Sequence, residues 1–403
     1  MLMRGRIPGT AATADRLCGL LRSGRDQEAL LSATSPPTLR ADRPPHRSSS
    51  RILAAIAALR RRHPATARQA TWRAAMSTAL SEYGNGSARR LFDLYFEAAG
   101  RRDTGHYFSY RFGQPRHLAG LSLASLVNLG RGPVLDLGCG AGHIARHVVQ
   151  QHGTRSLVGV DVHLPMLLIG STRVAPGAHF VCCDVEKGLP FRDATFGNVL
   201  MANVLHFLIG KAGCVREMRR VSSPNAILAM SSVRHSLRAS ETPNAALSLQ
   251  GYRSLFKDMP LSMLAESELV GRYLDGLGPP LHQCTVPEWL QQEDFIALVA
   301  SCDLAVFAEH GAFSDWPHAQ GRLGINPLYA VVDTGEPGRG LRLTLQWPAS
   351  QPFADENRLM KDYLAEEAVL GPKIVEALAG DRRIPEMEPL IASFVLLDVP
   401  PPY

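Results

Sequence analysis

Three short apolar runs in the middle of the chain each carry an aspartate at or near their end. The runs are Val134–Leu137 with Asp136, Ser156–Asp161 and His179–Asp184, and helical patterns separate them. Short continuous apolar runs that alternate with helices predict parallel strands buried on both faces of a sheet. Because the carboxyl ends of parallel strands meet at one edge, we expect the three carboxylates to share a ligand site there.

Two further apolar runs extend this alternation. They are Gly197–Ala202 and Ala226–Met230, with Lys211–Val221 as the helix between them. The sequence therefore predicts an α/β fold, with a doubly wound, Rossmann-like, mostly parallel sheet and helices on both faces.

The alternation of strand and helix patterns ends after the fifth of these runs. Residues 245–256, 262–274 and 286–301 have helical patterns, which predict a helical cap insertion. Two strand-like runs at 328–332 and 341–347 flank a turn-rich loop. They predict a final antiparallel hairpin that completes the sheet.

These patterns divide the 403 residues into four segments. We expect a basic, largely disordered N-terminal segment (1–85), a ligand-binding core (86–237), a mainly helical cap insertion (238–325) and a C-terminal part that completes the sheet and adds helices (326–403). The aromatic content of the cap is typical of a cover over a substrate pocket and also of a dimerisation element. A homodimer is therefore an open alternative.

The positive charge of the chain is confined to its N-terminal segment. Residues 1–75 hold fourteen arginines against four acids, an excess of +10, whereas the whole chain carries only +6. The other 328 residues therefore carry −4, and we expect no nucleic-acid partner for the body. The arginine-rich segment has three open interpretations: no folded role, an organelle-targeting peptide, or an arm for nucleic acid or an acidic partner.

Cysteine usage and hydropathy indicate the compartment. Seven cysteines without a CxxC pair favour free thiols in a reducing compartment and predict no metal site. No apolar run approaches the ~18 residues of a membrane-spanning helix. We expect a cytoplasmic protein, with organelle targeting by the N-terminal segment as the alternative.

A glycine loop follows the first strand. Gly138, Gly140 and Gly142 are spaced by two, and His143 stands where a dinucleotide-binding motif would have its third glycine. No Gly-Lys-Ser/Thr follows, which excludes a phosphate-binding Walker loop. Three strand-end acids beside such a loop fit a nucleoside that bears an ammonium group and no phosphate.

The motifs resemble those of the class I S-adenosylmethionine (SAM)-dependent methyltransferases, in their small-molecule, methyltransferase type 11-like branch. The matching segments are Leu135–Gly142, Val158–Asp161, Cys183–Phe191, Phe196–Leu208 and Val215–Met230. The resemblance covers roughly residues 90–235, about a third of the chain. It implies that residues 86–237 are a SAM-binding methyltransferase core.

The resemblance also implies roles for single residues. Gly138 and Gly140 would pass close to the methionine part of SAM, and Asp136 would hold its amino group. The remaining expected cofactor contacts are Asp161 at the ribose, Asp184 and the Val185 amide at the adenine, and Cys139 and Asn203.

Methyl transfer is a displacement at an activated sulfonium carbon, so alignment of donor and acceptor can supply much of the acceleration. A base is needed only where the acceptor must lose a proton. His206 follows the fourth core strand and is our candidate base, with a packed structural histidine as the alternative.

We therefore expect an enzyme, a SAM-dependent methyltransferase that methylates oxygen, nitrogen or carbon of a small organic acceptor. An RNA or protein methyltransferase is one alternative. A SAM-binding regulatory or scaffold protein without turnover is the other.

Overall fold

The computed structural model describes residues 2–3, 87–98, 101–129, 132–153, 157–237, 246–282, 288–311, 321–332, 340–349, 351–400 and 403. Apart from residues 2–3, the segment up to residue 86 lies outside the described residues, and so does the predicted hairpin loop at 333–339.

Within the described residues, eight strands form the main sheet in the order β1-β4-β3-β2-β5-β6-β8-β7. They are β1 (Leu2–Met3), β2 (Val134–Leu137), β3 (Leu157–Asp161), β4 (His179–Cys182), β5 (Phe196–Ala202), β6 (Ser222–Val233), β7 (Leu261–Ala265) and β8 (Ile296–Ala300). The strands from β4 to β6 in this order are parallel. Strand β8 is antiparallel to both β6 and β7, and β1 is antiparallel to β4.

Helices cover both faces of this sheet. The described helices are α1 (Ala88–Ala98), α2 (Arg102–Ser109), α3 (Pro115–Ala124), α4 (His143–His152), α5 (Leu164–Ile169), α6 (Lys211–Val221), α7 (Leu249–Leu255), α8 (Glu266–Leu274), α9 (Gln351–Glu356), α10 (Pro372–Ala379) and α11 (Glu388–Ala392).

Two hydrophobic cores lie on opposite faces because side chains alternate along each strand. Val134 belongs to the core that includes Ile144 and Val148 of α4, whereas Leu135 belongs to the core that includes Val215 and Met218 of α6. The predicted doubly wound, mostly parallel α/β sheet is confirmed.

The antiparallel strands that complete the sheet are not the predicted ones. They are β7 and β8, which lie inside the segment 238–325 that we expected to be mainly helical. Each has five residues, and an apolar run of that length cannot be distinguished from a buried helix by periodicity. The helices that we predicted at 262–274 and 286–301 therefore include residues that form β7 and β8.

The predicted final hairpin forms, but it belongs to a sheet separate from the main one. Strands β10 (Tyr329–Val332) and β11 (Leu341–Leu345) pair antiparallel, and β11 pairs with β12 (Glu367–Leu370). A further pair, β9 (Leu323–Ile325) with β13 (Leu396–Asp398), forms a two-stranded sheet. The C-terminal part therefore adds separate small sheets and does not complete the main one.

One buried ion pair joins this C-terminal part to the core. Arg146 of α4 donates two hydrogen bonds to the Asp398 carboxylate, from Nη2 at 2.6 Å and from Nε at 3.1 Å. Both side chains are mostly buried, with exposures of 11% and 6%. Burial outweighs the arginine and raises the pKa of Asp398 above its ordinary value.

We expect Asp398→Ala to lower the free energy of unfolding by about 3 kcal/mol, because it leaves Arg146 as a buried charge without its carboxylate. Glu388→Ala is the matched control, since Glu388 pairs with Arg383 on the surface and its loss should cost less than about 1 kcal/mol. Urea unfolding of both variants measures the difference. Equal losses in the two variants would contradict a stabilising role for the buried pair.

Candidate functional site

The glycine loop between β2 and α4 adopts a conformation that requires glycine. Gly138, Gly140 and Gly142 have φ values of 70°, 54° and 77°, in the left-handed region. A side chain at Gly138 would also overlap the methyls of Val204, and one at Gly140 would meet the ring of Phe108. Glycine therefore lets the loop pack closely against Val204 and Phe108 at the end of the sheet.

The Asp161 carboxylate holds this loop against β3. Its Oδ2 accepts a hydrogen bond from the Gly140 amide at 2.9 Å. Its Oδ1 accepts one from the His163 amide at 2.8 Å and lies 3.1 Å from His163 Nδ1. The amides of Gly138 and Cys139 both donate to the Val160 carbonyl. The end of β3 thus sets the path of the loop that follows β2.

Asp136 is buried beside the loop, with an exposure of 2%. Burial and, to a smaller extent, the negative charge of Asp161 raise its pKa to about 7, while Arg111 acts in the opposite direction. In the part of the chain that the structure describes, no group donates a hydrogen bond to its carboxylate. The chemistry of a buried carboxylate suits it to a cationic partner, which would compensate its charge.

Asp184 and Val185 lie at the end of β4, at the same edge of the sheet. Asp184 Oδ1 accepts a hydrogen bond from the Glu186 amide at 3.0 Å, and Lys187 Nζ lies 3.2 Å from its Oδ2. Val185 is buried in the core on the α6 side. The structure therefore brings the three predicted acids to one edge of the sheet.

Helix α2 packs over the loop and the end of β5. Its Phe108 contacts Gly140, and its Tyr107 hydroxyl accepts a hydrogen bond from Asn203 Nδ2 at 3.2 Å. Asn203 itself has a φ of 59°, and its Oδ1 is buried without a hydrogen bond. We call α2 the lid helix, because it contacts both the glycine loop and Asn203 after β5.

His206 lies three residues beyond Asn203 and is 1% exposed. Burial lowers its pKa to about 3, and the positive charges of Arg116, Arg234 and Lys211 contribute. Its ring packs against Phe207 and Phe295. The imidazole is therefore uncharged near neutral pH, which leaves it able to accept a proton but makes it a weak base.

Sequence reasoning missed the arginines of this site. Arg111 and Arg116 are 4% and 5% exposed, and Arg234 lies at the end of β6. Arginines are mostly solvated, and a single sequence shows no sign of which ones are buried. The aromatic residues beside Arg111, in the stretch 107–112, were the available signal.

Tyr403 is a further residue near the site that was not predicted from the sequence. Its hydroxyl donates a hydrogen bond to the Phe108 carbonyl at 2.8 Å and lies 3.3 Å from His143 Nε2. Its ring lies edge-on to Phe112, with 5.0 Å between the centroids. Tyr403 therefore fixes the C-terminal end of the lid helix through its hydrogen bond to Phe108.

Among the described residues, no group of three histidine, cysteine or acidic side chains could hold a metal ion. In the same residues, the helices are all too short or too polar to cross a membrane.

Comparison with known proteins agrees with this geometry. Residues 135–230 match the family model described as "Methyltransferase domain". The chain is 32% identical over 93 residues to an arginine-hydroxylase, NDUFAF5, of Danio rerio, covering 23% of this chain and 28% of that protein. It is 30% identical over 76 residues to an 18S rRNA (guanine-N(7))-methyltransferase of Schizosaccharomyces pombe, covering 19% and 28%.

A third relative matches over a longer stretch. It is the norajmaline N-methyltransferase of Rauvolfia serpentina, 26% identical over 166 residues, which cover 39% of this chain and 55% of that protein. The chain thus spans between about a quarter and about half of the lengths of these relatives.

Among solved structures, the plantazolicin methyltransferase BpumL in complex with SAH is 15% identical, with a TM-score of 0.38, and covers 53% of this chain and 95% of its own. In strand order, in the motifs at the strand ends and in the matched family model, residues 135–230 are similar to the methyltransferase domain of the class I SAM-dependent family, whose cofactor is SAM.

Proposed function

We propose that the chain transfers the methyl group of SAM to a small organic acceptor held between the lid helix, the end of β5 and the end of β6. The observation that carries this proposal is Asp136, a buried carboxylate with a raised pKa beside a loop of bare backbone. The methionine part of SAM carries an ammonium group that would compensate this carboxylate, and SAM supplies an electrophilic methyl carbon.

The other predicted cofactor residues fit the same ligand. Gly138 and Gly140 let the backbone approach it closely, and Cys139 lies between them. Asp161 already accepts hydrogen bonds from the Gly140 and His163 amides, one on each carboxylate oxygen, and the hydrogen-bonding capacity that remains would serve the ribose hydroxyls. Asp184 and the Val185 amide are available to an adenine at the end of β4.

The enclosure of the acceptor end favours a small molecule. Arg116, His206 and Phe295 are at most 9% exposed, and Tyr107 of the lid helix accepts a hydrogen bond from Asn203. A buried site of this kind excludes water and aligns the two reactants. An RNA strand would need an open basic surface, whereas residues 76–403 carry a net charge of −4.

The first test is the pH dependence of SAM binding. With a pKa of about 7, Asp136 is protonated below neutral pH, so binding of the ammonium group must release a proton there. We expect calorimetric affinity to weaken as pH falls from 7, by up to about tenfold per pH unit. Asp136→Asn should bind weakly and without this dependence.

Asp258→Asn is the matched control, because Asp258 is exposed and pairs only at 3.9 Å with Arg219 on the surface. It should leave both the affinity and its pH dependence unchanged. A wild-type affinity that stays constant across this pH range would contradict the role of Asp136.

The second test is a transfer assay with methyl-labelled SAM against three separate pools: a low-mass metabolite extract, RNA and protein. We expect label in the low-mass pool, and its loss in Asp161→Ala, because this change releases the Gly140 amide and the glycine loop. Label confined to RNA or to protein would replace the proposed acceptor class. Tight SAM binding without transfer to any pool would favour the regulatory alternative.

The third test concerns His206 as the base. With a pKa of about 3, its imidazole stays neutral between about pH 5 and 8, so it should produce no limb in the rate profile over that range. His206→Gln should lower the rate without changing the shape of this profile. A limb near pH 6.5 that disappears in His206→Gln would contradict the lowered pKa.

A further inference from the structure

Glu266 is a buried acid at the edge of the sheet where the site lies. It directly follows β7, and because β6 and β7 are both antiparallel to β8, β7 ends at the same edge as the parallel core strands. Glu266 is 5% exposed. In the part of the chain that the structure describes, its Oε2 is buried and has no hydrogen-bond partner. A buried polar atom is costly to leave unpaired, so Glu266 is suited to a ligand that donates a hydrogen bond.

A short chain of contacts connects Glu266 to the end of β5. The Asn203 amide donates a hydrogen bond to the Ser231 carbonyl at 2.9 Å. The next residue, Ser232, interacts with the Glu266 carboxylate through its side chain and its backbone. Asn203 and Ser232 both have positive φ values, 59° and 55°, and non-glycine residues in this region concentrate at functional sites. The ends of β5 and β6 thus lie beside Glu266.

Phe295 connects Glu266 to His206. The Glu266 amide donates a hydrogen bond to the Phe295 carbonyl at 3.1 Å. The centroids of the Phe295 and His206 rings are 6.5 Å apart. The guanidinium carbon of Arg116 lies 4.1 Å from the centroid of the same Phe295 ring, and the charge of Arg116 acts on both Glu266 and His206. Glu266 and His206 therefore belong to one group of residues around Phe295.

Three buried atoms beside one another in this part of the site have no hydrogen-bond partner among the described residues. They are Glu266 Oε2, Asn203 Oδ1 and His206 Nδ1. An ionised carboxylate and an amide oxygen can only accept hydrogen bonds. A ligand whose reacting group carries an O–H or an N–H would supply the donor that these atoms lack.

Of the two side chains here that could take a proton, Glu266 is the stronger base. Burial raises its pKa above the ordinary value. Arg116 at the start of α3, Ser232 near the end of β6 and Arg111 between α2 and α3 act in the opposite direction. Burial lowers the pKa of His206 to about 3. A base is most effective when its pKa lies near the operating pH, which favours Glu266 over His206.

We propose that Glu266 accepts the proton that the methyl acceptor loses, and that the reacting group of the acceptor is a hydroxyl or an amine with an N–H. This proposal rests on the proposed function of the same site. A lone pair of the acceptor oxygen or nitrogen forms the bond to the methyl carbon, and the carbon–sulfur bond breaks with its electron pair going to sulfur. The proton moves to Glu266 Oε2 and is released to solvent before the next turnover. The products are the methylated acceptor and S-adenosylhomocysteine.

Glu266→Gln tests this role, because it keeps the shape of the side chain and removes the proton acceptor. We expect kcat at saturating SAM to fall about 100-fold or more, whereas the affinity for SAM should stay within about twofold. Glu268→Gln is the matched control, since Glu268 is exposed and lies in the same first turn of α8. It should leave kcat unchanged. Full kcat in a folded Glu266→Gln would overturn the role of Glu266 and leave methyl transfer intact. Absence of transfer by the wild-type protein to every pool would overturn the proposed function and this role with it.

The pH dependence separates proton transfer from a structural role and needs only the wild-type protein. At saturating SAM, kcat/KM for the acceptor should rise with pH and level off above the pKa of Glu266, because only the ionised carboxylate accepts a proton. Infrared spectra of the SAM complex should show the carbonyl band of protonated Glu266 disappearing over the same pH range. Glu266→Gln should remove both the limb and the band, and Glu268→Gln should keep both. A rate without this limb, or a limb at a different midpoint from the band, would overturn the proposal.

The labelled product tests the class of acceptor. With SAM that carries a carbon-13 methyl group, the chemical shift of the transferred methyl distinguishes an O-methyl from an N-methyl product. We expect the methyl on an oxygen or nitrogen that carries a hydrogen in the acceptor, with the hydroxyl and the amine as the two outcomes that support the proposal. Methyl on carbon, on sulfur or on a nitrogen without hydrogen would overturn it while leaving methyl transfer intact.

Discussion

The hydrogen bond from the Gly140 amide to Asp161 is the interaction on which the cofactor end of the site depends. It joins the loop after β2 to the end of β3 and holds three glycines in the left-handed region. It also places the Asp161 charge close enough to Asp136 to raise the pKa of that buried carboxylate. The same hydrogen bond therefore shapes the backbone and sets the electrostatic surroundings of Asp136.

Much of this end could be predicted from the sequence because its determinants are local. Strands β2, β3 and β4 are continuous apolar runs, and their acids lie inside β2, at the last residue of β3 and two residues after β4. The acceptor end could not be predicted in this way. Strands β7 and β8 were mistaken for helices, since five apolar residues carry no decisive period, and the buried arginines look like any surface arginine in a sequence.

Contacts between distant parts of the chain were beyond prediction for a different reason. Arg146 and Asp398 are 252 residues apart, and Tyr403 lies 295 residues from the Phe108 carbonyl that it contacts. No local sequence pattern indicates that two such distant residues are in contact. Yet the first contact anchors the helix that begins at the glycine loop, and the second anchors the lid helix. The C-terminal part thus stabilises α4 and the lid helix without lining the site itself.

The two ends of the site differ in the charge of their buried groups. Asp136 and Asp161 contribute negative charge beside the glycine loop, whereas Arg116, Arg234 and Lys211 all act on the His206 imidazole with positive charge. In the proposed methyl transfer, alignment of the reacting atoms supplies much of the acceleration. Tyr107 of the lid helix, Asn203 and His206 would provide the enclosing surface for this alignment.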